Sequence, residues 1–420
     1  MIDIFDDLNK RGLLDSYSDK EKIRELLKTP QTIYCGFDPS NKSMQLGNFI
    51  MIHILSKLQK AGHRIIAVVG GATGMIGDPS GKKSERSFLE PEQVNYNVQC
   101  LKKQLSKYLD FSDPNKGICV NNYDWWSTTN VLTYLRDFGK MMPINYMLAK
   151  EIVKSRLEVG ISYTEFSYMI LQAGDFWNLR SKYGCVMQIG GGDQWGNLTT
   201  ALDFVKKKEG EKCPCQVFSV KLICDSNGKK FGKSEKGALF LDPSMTSPFN
   251  IYQYFINVAD NDVGRYLYIF DDRPLEELDA IVAEHMQAPE KRMGQKTLAY
   301  SVTSLVHGKE AADECVKMTE AIFSGDFKNL KEQSLLDLAS SLDAIEVEPG
   351  MNLVDALIAT KLASSKREAR EFLKGNAVSL NGEKVVDPNL ILDGSNALDG
   401  KVFFLKRGKK NNAAIILKQC

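Results

Sequence analysis

Two lysines three apart, Lys230 and Lys233, stand in the string KFGKS with Gly232 between them and Ser234 behind, just after ICDSNGK, which reads as a turn. Ammonium groups on a Gly-bearing loop can close on a polyphosphate as charge clamps during phosphoryl or adenylyl transfer. A second stretch, QTIYCGFDPSNKSMQLGNFI at 31–50, reads as a strand, a Pro- and Gly-punctuated loop and an apolar helix. The start of a helix offers unpaired backbone N–H groups and a positive dipole end, so its usual guest is an anion, most often phosphate. Each stretch alone is weak, because a short basic string is more often plain surface.

These side chains need a scaffold. TIYCGF (32–37), RIIAVVG (64–70) and CVMQIG (185–190) are short, β-branched and Gly-bounded, as strands are, and 47–61, 91–108 and 164–180 have helical length and spacing. Strand and helix in alternation predict an α/β domain, a Rossmann-like parallel sheet that binds ligands at the carboxyl ends of its strands. From 248 to about 325 the pattern is almost wholly helical, which predicts an all-α domain. The expected organisation is a catalytic domain at 1–246, a helical domain at 247–328, a linker at 329–350 and a small α+β unit at 351–420.

A chain of 420 residues exceeds one core, and its net charge of +1 excludes a uniformly polycationic nucleic-acid coat. The charge is uneven: residues 351–420 hold 12 Lys and Arg against 7 Asp and Glu, net +5, leaving −4 for the rest. In SSKREAREFLKGN a helix would set Lys366, Arg367, Arg370 and Lys374 on one side and Ala369, Phe372 and Leu373 on another. Such a face suits a phosphate backbone, and equally suits solvent. The amino terminus lacks secretory order, and the longest apolar run, RIIAVVGGATGMIG, is short and Gly-broken, so no membrane segment and a cytoplasmic location are expected. Nine scattered cysteines predict reduced thiols, and Cys213-Pro214-Cys215 lacks a second ligand pair, so no metal site is expected.

YCGFDPS…QLGN, GGATGMIGDPSGKKSER, SYTEFSYMILQAGDF, GGGDQWGN and KFGKSE follow one another in that order. Together they resemble the bacterial tyrosyl-tRNA synthetases, a family of class I aminoacyl-tRNA synthetases, and the resemblance spans essentially the whole chain. It implies an alpha-L RNA-binding domain for the basic unit at 351–420. It implies activation of L-tyrosine with ATP, accompanied by Mg²⁺, transfer to tRNA(Tyr), and a homodimer formed through the amino-terminal domain.

The resemblance assigns the site residue by residue. The family's His-Ile-Gly-His signature reads Gln45-Leu46-Gly47-Asn48 here. An amide can donate to phosphate but carries no charge, so Gln45 is the larger departure and Asn48 the smaller. His53 lies eight residues along the same helix, about 12 Å away, too far to stand in, and His63 is farther and structural. Tyr34 and Asp175 would bracket the phenol hydroxyl, Asp78, Tyr168 and Gln172 the ammonium, and Gln194 would donate to the tyrosyl carboxylate. Cys35 and Asp193 would hold the ribose. Gly36, Asp38, Ser40, Gly47, Gly191 and Gly192 would adjoin the nucleotide, and Lys82, Arg86, Lys230, Lys233 and Ser234 the pyrophosphate. Two other classes account for part of the pattern: another pyrophosphate-releasing nucleotidylyltransferase, and an RNA-binding protein whose adenylation site has decayed.

Overall fold

The computed structural model describes residues 3–80, 89–210, 212–226, 228, 230–234, 237–408 and 411–418. The chain forms two compact units, one of residues 1–245 and 264–280, the other of 246–263 and 281–420.

The first unit is built on six strands: β1 (Leu14–Tyr17), β2 (Thr32–Phe37), β3 (Arg64–Val69), β4 (Gly117–Asn121), β5 (Met187–Gly191) and β6 (Gln216–Val220). Their order is β1-β6-β5-β2-β3-β4, and all neighbours run parallel except the edge strand β1. From β2 the chain winds outward through β3 and β4, then returns to lay β5 on the other side of β2. The order therefore reverses between β2 and β5, where an α/β sheet opens its ligand crevice.

Four helices matter most for that crevice: α1 (Leu46–Lys60), α2 (Pro91–Leu105), α3 (Tyr163–Tyr183) and α4 (Trp195–Glu209). Their ends follow local chemistry. Ser162 caps α3 by accepting the Glu165 N–H at 3.2 Å, and Gly184, at φ 66°, closes it in the left-handed region that glycine enters without penalty. Within α3, Gly174 leaves room for a ring: a Cβ there would lie 2.5 Å from Trp126 Cζ2. The buried faces of α3 and α4 join β2, β3 and β6 in one core containing Tyr34, Val68, Phe176, Leu179, Phe204 and Val217.

Neither histidine of this unit reaches the crevice. His53 is buried with Nε2 3.3 Å from Asp272 Oδ1, and His63 Nδ1 accepts the Gln31 N–H at 3.2 Å.

The second unit contains the helices Met293–His307, Lys309–Ser324 and Glu332–Ser341. The last lies inside 329–350 and buries Leu335 and Leu338. A five-stranded sheet follows, ordered Glu383–Lys384, Val378–Leu380, Val402–Arg407, Asn411–Leu417, Ile345–Val347. The helices Leu353–Ala359 and Lys366–Lys374 share its core with Leu373, Phe403 and Ile415. Ala369 and Leu373 are buried, Phe372 is half-buried beneath the Arg407 guanidinium, and Lys366, Arg367, Arg370 and Lys374 are exposed. No helix among the described residues is long and apolar enough to cross a membrane.

Candidate active site

A cavity of about 460 Å³ opens at the carboxyl ends of β2, β5 and β6 and reaches the start of α1. Its wall includes residues from every expected group except the tRNA-binding one: Tyr34, Cys35, Gly36, Asp38 and Ser40 after β2, Gln45, Gly47 and Asn48 at α1, and Tyr168, Gln172 and Asp175 from α3. Asp78, Gly191, Asp193, Gln194, Lys230 and Lys233 also line it. Lys82 and Arg86 lie outside the described residues. The Ser234 hydroxyl donates to the Gly237 carbonyl at 3.1 Å.

At the end nearest α1, Gln45 is the extended residue that precedes the helix, and its backbone N–H donates to Asn48 Oδ1 at 3.1 Å. Asn48 thereby caps the helix with its oxygen and retains an amide nitrogen as donor. A Cβ on Gly36 would meet nothing within 4 Å, and one on Gly47 only the Phe231 carbonyl at 3.8 Å, so both glycines leave room at the wall. Gly191 and Gly192 are tighter, since a Cβ there would lie 2.7 Å from Asp193 Oδ1 and 3.0 Å from Asp15 Oδ2 respectively. Cys35 is buried, and burial pushes its thiol up to about 12, so it is a neutral thiol rather than a nucleophile.

At the other end, Asp175 is wired from behind. Trp125 Nε1 and Trp126 Nε1 donate to its Oδ1 at 2.8 and 2.7 Å, and Asn122 Nδ2 donates to Oδ2 at 3.0 Å. Burial still outweighs these three donors and pushes the carboxyl up to about 7. Asn122 also donates to Thr73 Oγ1 at 3.0 Å, Thr73 to Asp38 Oδ1 at 2.8 Å, and the Tyr168 hydroxyl to Asp38 Oδ2 at 2.9 Å. One hydrogen-bonded chain thus links Asp175 through Asn122 and Thr73 to Asp38 and Tyr168. Burial, followed by the nearby Asp175 charge, holds the Tyr34 phenol well above its ordinary range.

Three buried polar atoms on this wall have no hydrogen-bond partner among the described residues: Tyr34 Oη, Gln172 Oε1 and Gln188 Oε1. A buried orphan is costly, and several around one cavity indicate a polar guest. Gln194 is already engaged, since its Nε2 donates to Asp78 Oδ2 at 2.5 Å, and Asn197 Nδ2 donates to Gln194 Oε1 at 3.1 Å. Sequence reasoning missed Thr73, Asn122, Trp125, Trp126, Gln188 and Asn197. The Asn122-Tyr123-Asp124-Trp125-Trp126 run was the one available signal, two indoles with no apolar periodicity around them.

Among the described residues no group of three or more His, Cys, Asp or Glu is arranged to hold a metal. The four basic residues expected to meet tRNA lie in the second unit, where Lys366 is paired with Asp355 at 2.8 Å and Arg367 with Glu371 at 3.2 Å.

Known proteins resemble the chain over nearly its whole length. Residues 27–324 match the family tRNA synthetases class I (W and Y), and residues 335–415 match the tyrosine–tRNA ligase SYY-like C-terminal domain. The chain is 45% identical to the tyrosine–tRNA ligase of Bacillus caldotenax over 412 residues, covering 97% of this chain and 98% of that one. It is 44% identical to tyrosine–tRNA ligase 1 of Bacillus subtilis over 422 residues, covering 100% of each. Among solved structures, the C-terminally truncated mitochondrial tyrosyl-tRNA synthetase of Aspergillus nidulans superposes with a TM-score of 0.68 at 30% identity, covering 77% of this chain and 95% of that one.

Proposed function

The chain belongs to the class I tRNA synthetases of the tryptophan and tyrosine group, and from that premise we propose how its cavity makes and uses tyrosyl-adenylate. It is an ATP-dependent tyrosine–tRNA ligase. The observation that carries the assignment of residues is the Tyr34 hydroxyl, buried without a partner in the same cavity as the Asp175 carboxyl. A phenol hydroxyl needs one acceptor and one donor; the Asp175 carboxylate accepts its O–H and the Tyr34 hydroxyl donates to its oxygen. Phenylalanine would strand both groups, each at about 1–3 kcal/mol.

Asp78, Tyr168 and Gln172 receive the substrate ammonium, and Gln194 turns its second amide proton to the carboxylate. The carboxylate oxygen attacks the α-phosphorus of ATP; the new acyl–phosphate bond forms as the bond to pyrophosphate breaks. Gln45 and Asn48 donate to the phosphate as its charge grows. Lys82, Arg86, Lys230, Lys233 and Ser234 hold the departing pyrophosphate, and Mg²⁺ arrives with the nucleotide. Cys35 and Asp193 meet the ribose, while Gly36, Asp38, Ser40, Gly47 and Gly191 line its approach. No side chain becomes a nucleophile; positioning and charge neutralisation supply the catalysis. In the second step the terminal ribose hydroxyl of tRNA(Tyr) takes the acyl group and AMP leaves. Lys366, Arg367, Arg370 and Lys374 neutralise tRNA phosphates.

The division at 246, 328 and 350 is the domain scheme we adopt, with the 329–350 segment carrying the helix Glu332–Ser341 and the edge strand Ile345–Val347 of the following sheet rather than an unstructured linker, and with action in the cytoplasm. A homodimer through the first unit fits the exposed apolar side chains of Val131, Leu132, Leu135, Ile144, Leu157 and Val159. Tyrosine-dependent exchange between ATP and labelled pyrophosphate tests the reading; folded protein with Mg²⁺ that exchanged with no amino acid, or with another one, would overturn it.

A further inference from the structure

We infer that Gln104 and Ser43, which touch no reacting atom in the scheme above, are positioning residues that hold the two phosphate-handling motifs in register. The inference rests on the reading of Gln45, Asn48, Lys230 and Lys233 as groups that meet the phosphates.

The two motifs are far apart in sequence and meet in a short strip of backbone. Leu241 N–H donates to the Met44 carbonyl at 2.9 Å and Leu46 N–H to the Leu239 carbonyl at 2.8 Å, with Gln45 paired opposite Phe240. Leu239 N–H in turn donates to the Gly232 carbonyl at 2.9 Å, inside KFGKS. The segment that launches α1 and the segment that leaves the lysine loop are therefore one ladder. A ladder this short has little stiffness of its own, and the loop before it, from Asp38 to Met44, contains no helix or strand.

Gln104 supports the strip from α2. Its Oε1 accepts the Met44 N–H at 2.9 Å and its Nε2 donates to Ser43 Oγ at 3.0 Å. Ser43 Oγ also accepts the Asp242 N–H at 3.1 Å and donates to the Met44 carbonyl at 3.0 Å. The hydroxyl thus uses its one proton and both lone pairs, gripping both sides of the ladder at once. Gln104 and Ser43 are 5% and 3% exposed, so water cannot replace these bonds. Asn97, two turns earlier on α2, adds a second support by donating Nδ2 to the Pro39 carbonyl at 2.9 Å.

The test measures single-turnover adenylate formation, ATP half-saturation and equilibrium tyrosine affinity for the full-length parent and for Ser43→Ala, Ser43→Thr, Gln104→Leu and the Ser43→Ala/Gln104→Leu double variant. Misregister of the motifs lowers the ratio of rate to ATP half-saturation by about tenfold or more in Ser43→Ala and Gln104→Leu, while tyrosine affinity stays within about twofold. Ser43→Thr, which keeps the hydroxyl, returns to within about threefold of the parent, and the double variant is no worse than the poorer single one because both break one unit. If Gln104→Leu fails to fold, the Ser43→Ala and Ser43→Thr pair decides. Unchanged ATP parameters in Ser43→Ala, a matching loss of tyrosine affinity, or additive losses would overturn the inference. A parent enzyme with no tyrosine-dependent exchange would instead overturn the adenylation reading, and the inference with it.

Discussion

Asn48 Oδ1 accepts the backbone N–H of Gln45 at 3.1 Å, so the last residue of the altered signature also caps the helix on which the signature sits. The cap uses the oxygen of Asn48 and leaves its amide nitrogen as a donor, like the amide nitrogen of Gln45. Gln45→Ala should slow adenylate formation by about one to two orders of magnitude, the worth of a donor aimed at developing charge, and leave tyrosine affinity untouched. Equal single-turnover rates for parent and variant would show that this side chain contributes nothing.

Selectivity should fall on the phenol-bracketing pair in unequal measure. Tyr34→Phe removes a neutral hydrogen bond worth about 1 kcal/mol, whereas Asp175→Ala removes a partner of a charged one, worth up to about 3 kcal/mol. The ratio of kcat/KM for tyrosine over phenylalanine should therefore drop more for Asp175→Ala. Retention of the parental ratio by both variants would refute the assignment.

The raised Asp175 carboxyl makes a prediction about pH. Burial lifts it from 3.8 to about 7 in the folded protein. An acid whose folded value is raised weakens the fold as pH climbs through that interval, because the unfolded chain ionises first, for a cost of at most about 4 kcal/mol. Asp175→Asn should therefore gain stability over the parent as pH rises from about 4 to about 7, with no gain at the acid end, read from denaturant midpoints. Tyrosine binding should move oppositely: the phenol donates to the ionised form, so the parent's affinity should rise with pH and level off above about 7. Flat profiles in both measurements would exclude a carboxyl titrating there.

The carboxyl-terminal unit should serve the second step alone. Every residue assigned to adenylation ends by Ser234, so truncation near residue 345 should leave adenylate formation near normal and cripple transfer to tRNA. Arg367→Glu with Arg370→Glu should imitate the truncation and flatten the salt dependence of tRNA binding, since fewer counterions are released. Normal tRNA charging by both proteins would return the basic face to ordinary solvated surface.

Association should depend on the exposed apolar side chains of the first unit. Leu132 is 74% exposed and Val159 69%. Leu132→Asp with Val159→Asp should shift sedimentation toward a monomer at micromolar protein, while a parent that is itself monomeric would remove the dimer from the scheme.

The sequence by itself determined the class of sheet and the helical and basic later parts, and through the family resemblance it named many, though not most, of the residues on the cavity wall. It could do so because those features depend on neighbours in the chain: β2 is TIYCGF as read, and Tyr168, Gln172 and Asp175 fall on one helix through a fixed period. Where the reading fell short, the missing information was pairing between distant segments. The short strands β1, β4 and β6 have too little pattern to stand out, and gain their stability from the strands beside them. The bonds from Trp125 and Trp126 to Asp175 cross about fifty positions, and the strip joining Met44–Leu46 to Leu239–Leu241 crosses nearly two hundred. Only the tertiary structure could decide those, because a buried hydrogen bond is specified by what burial brings together and not by the residue that carries it.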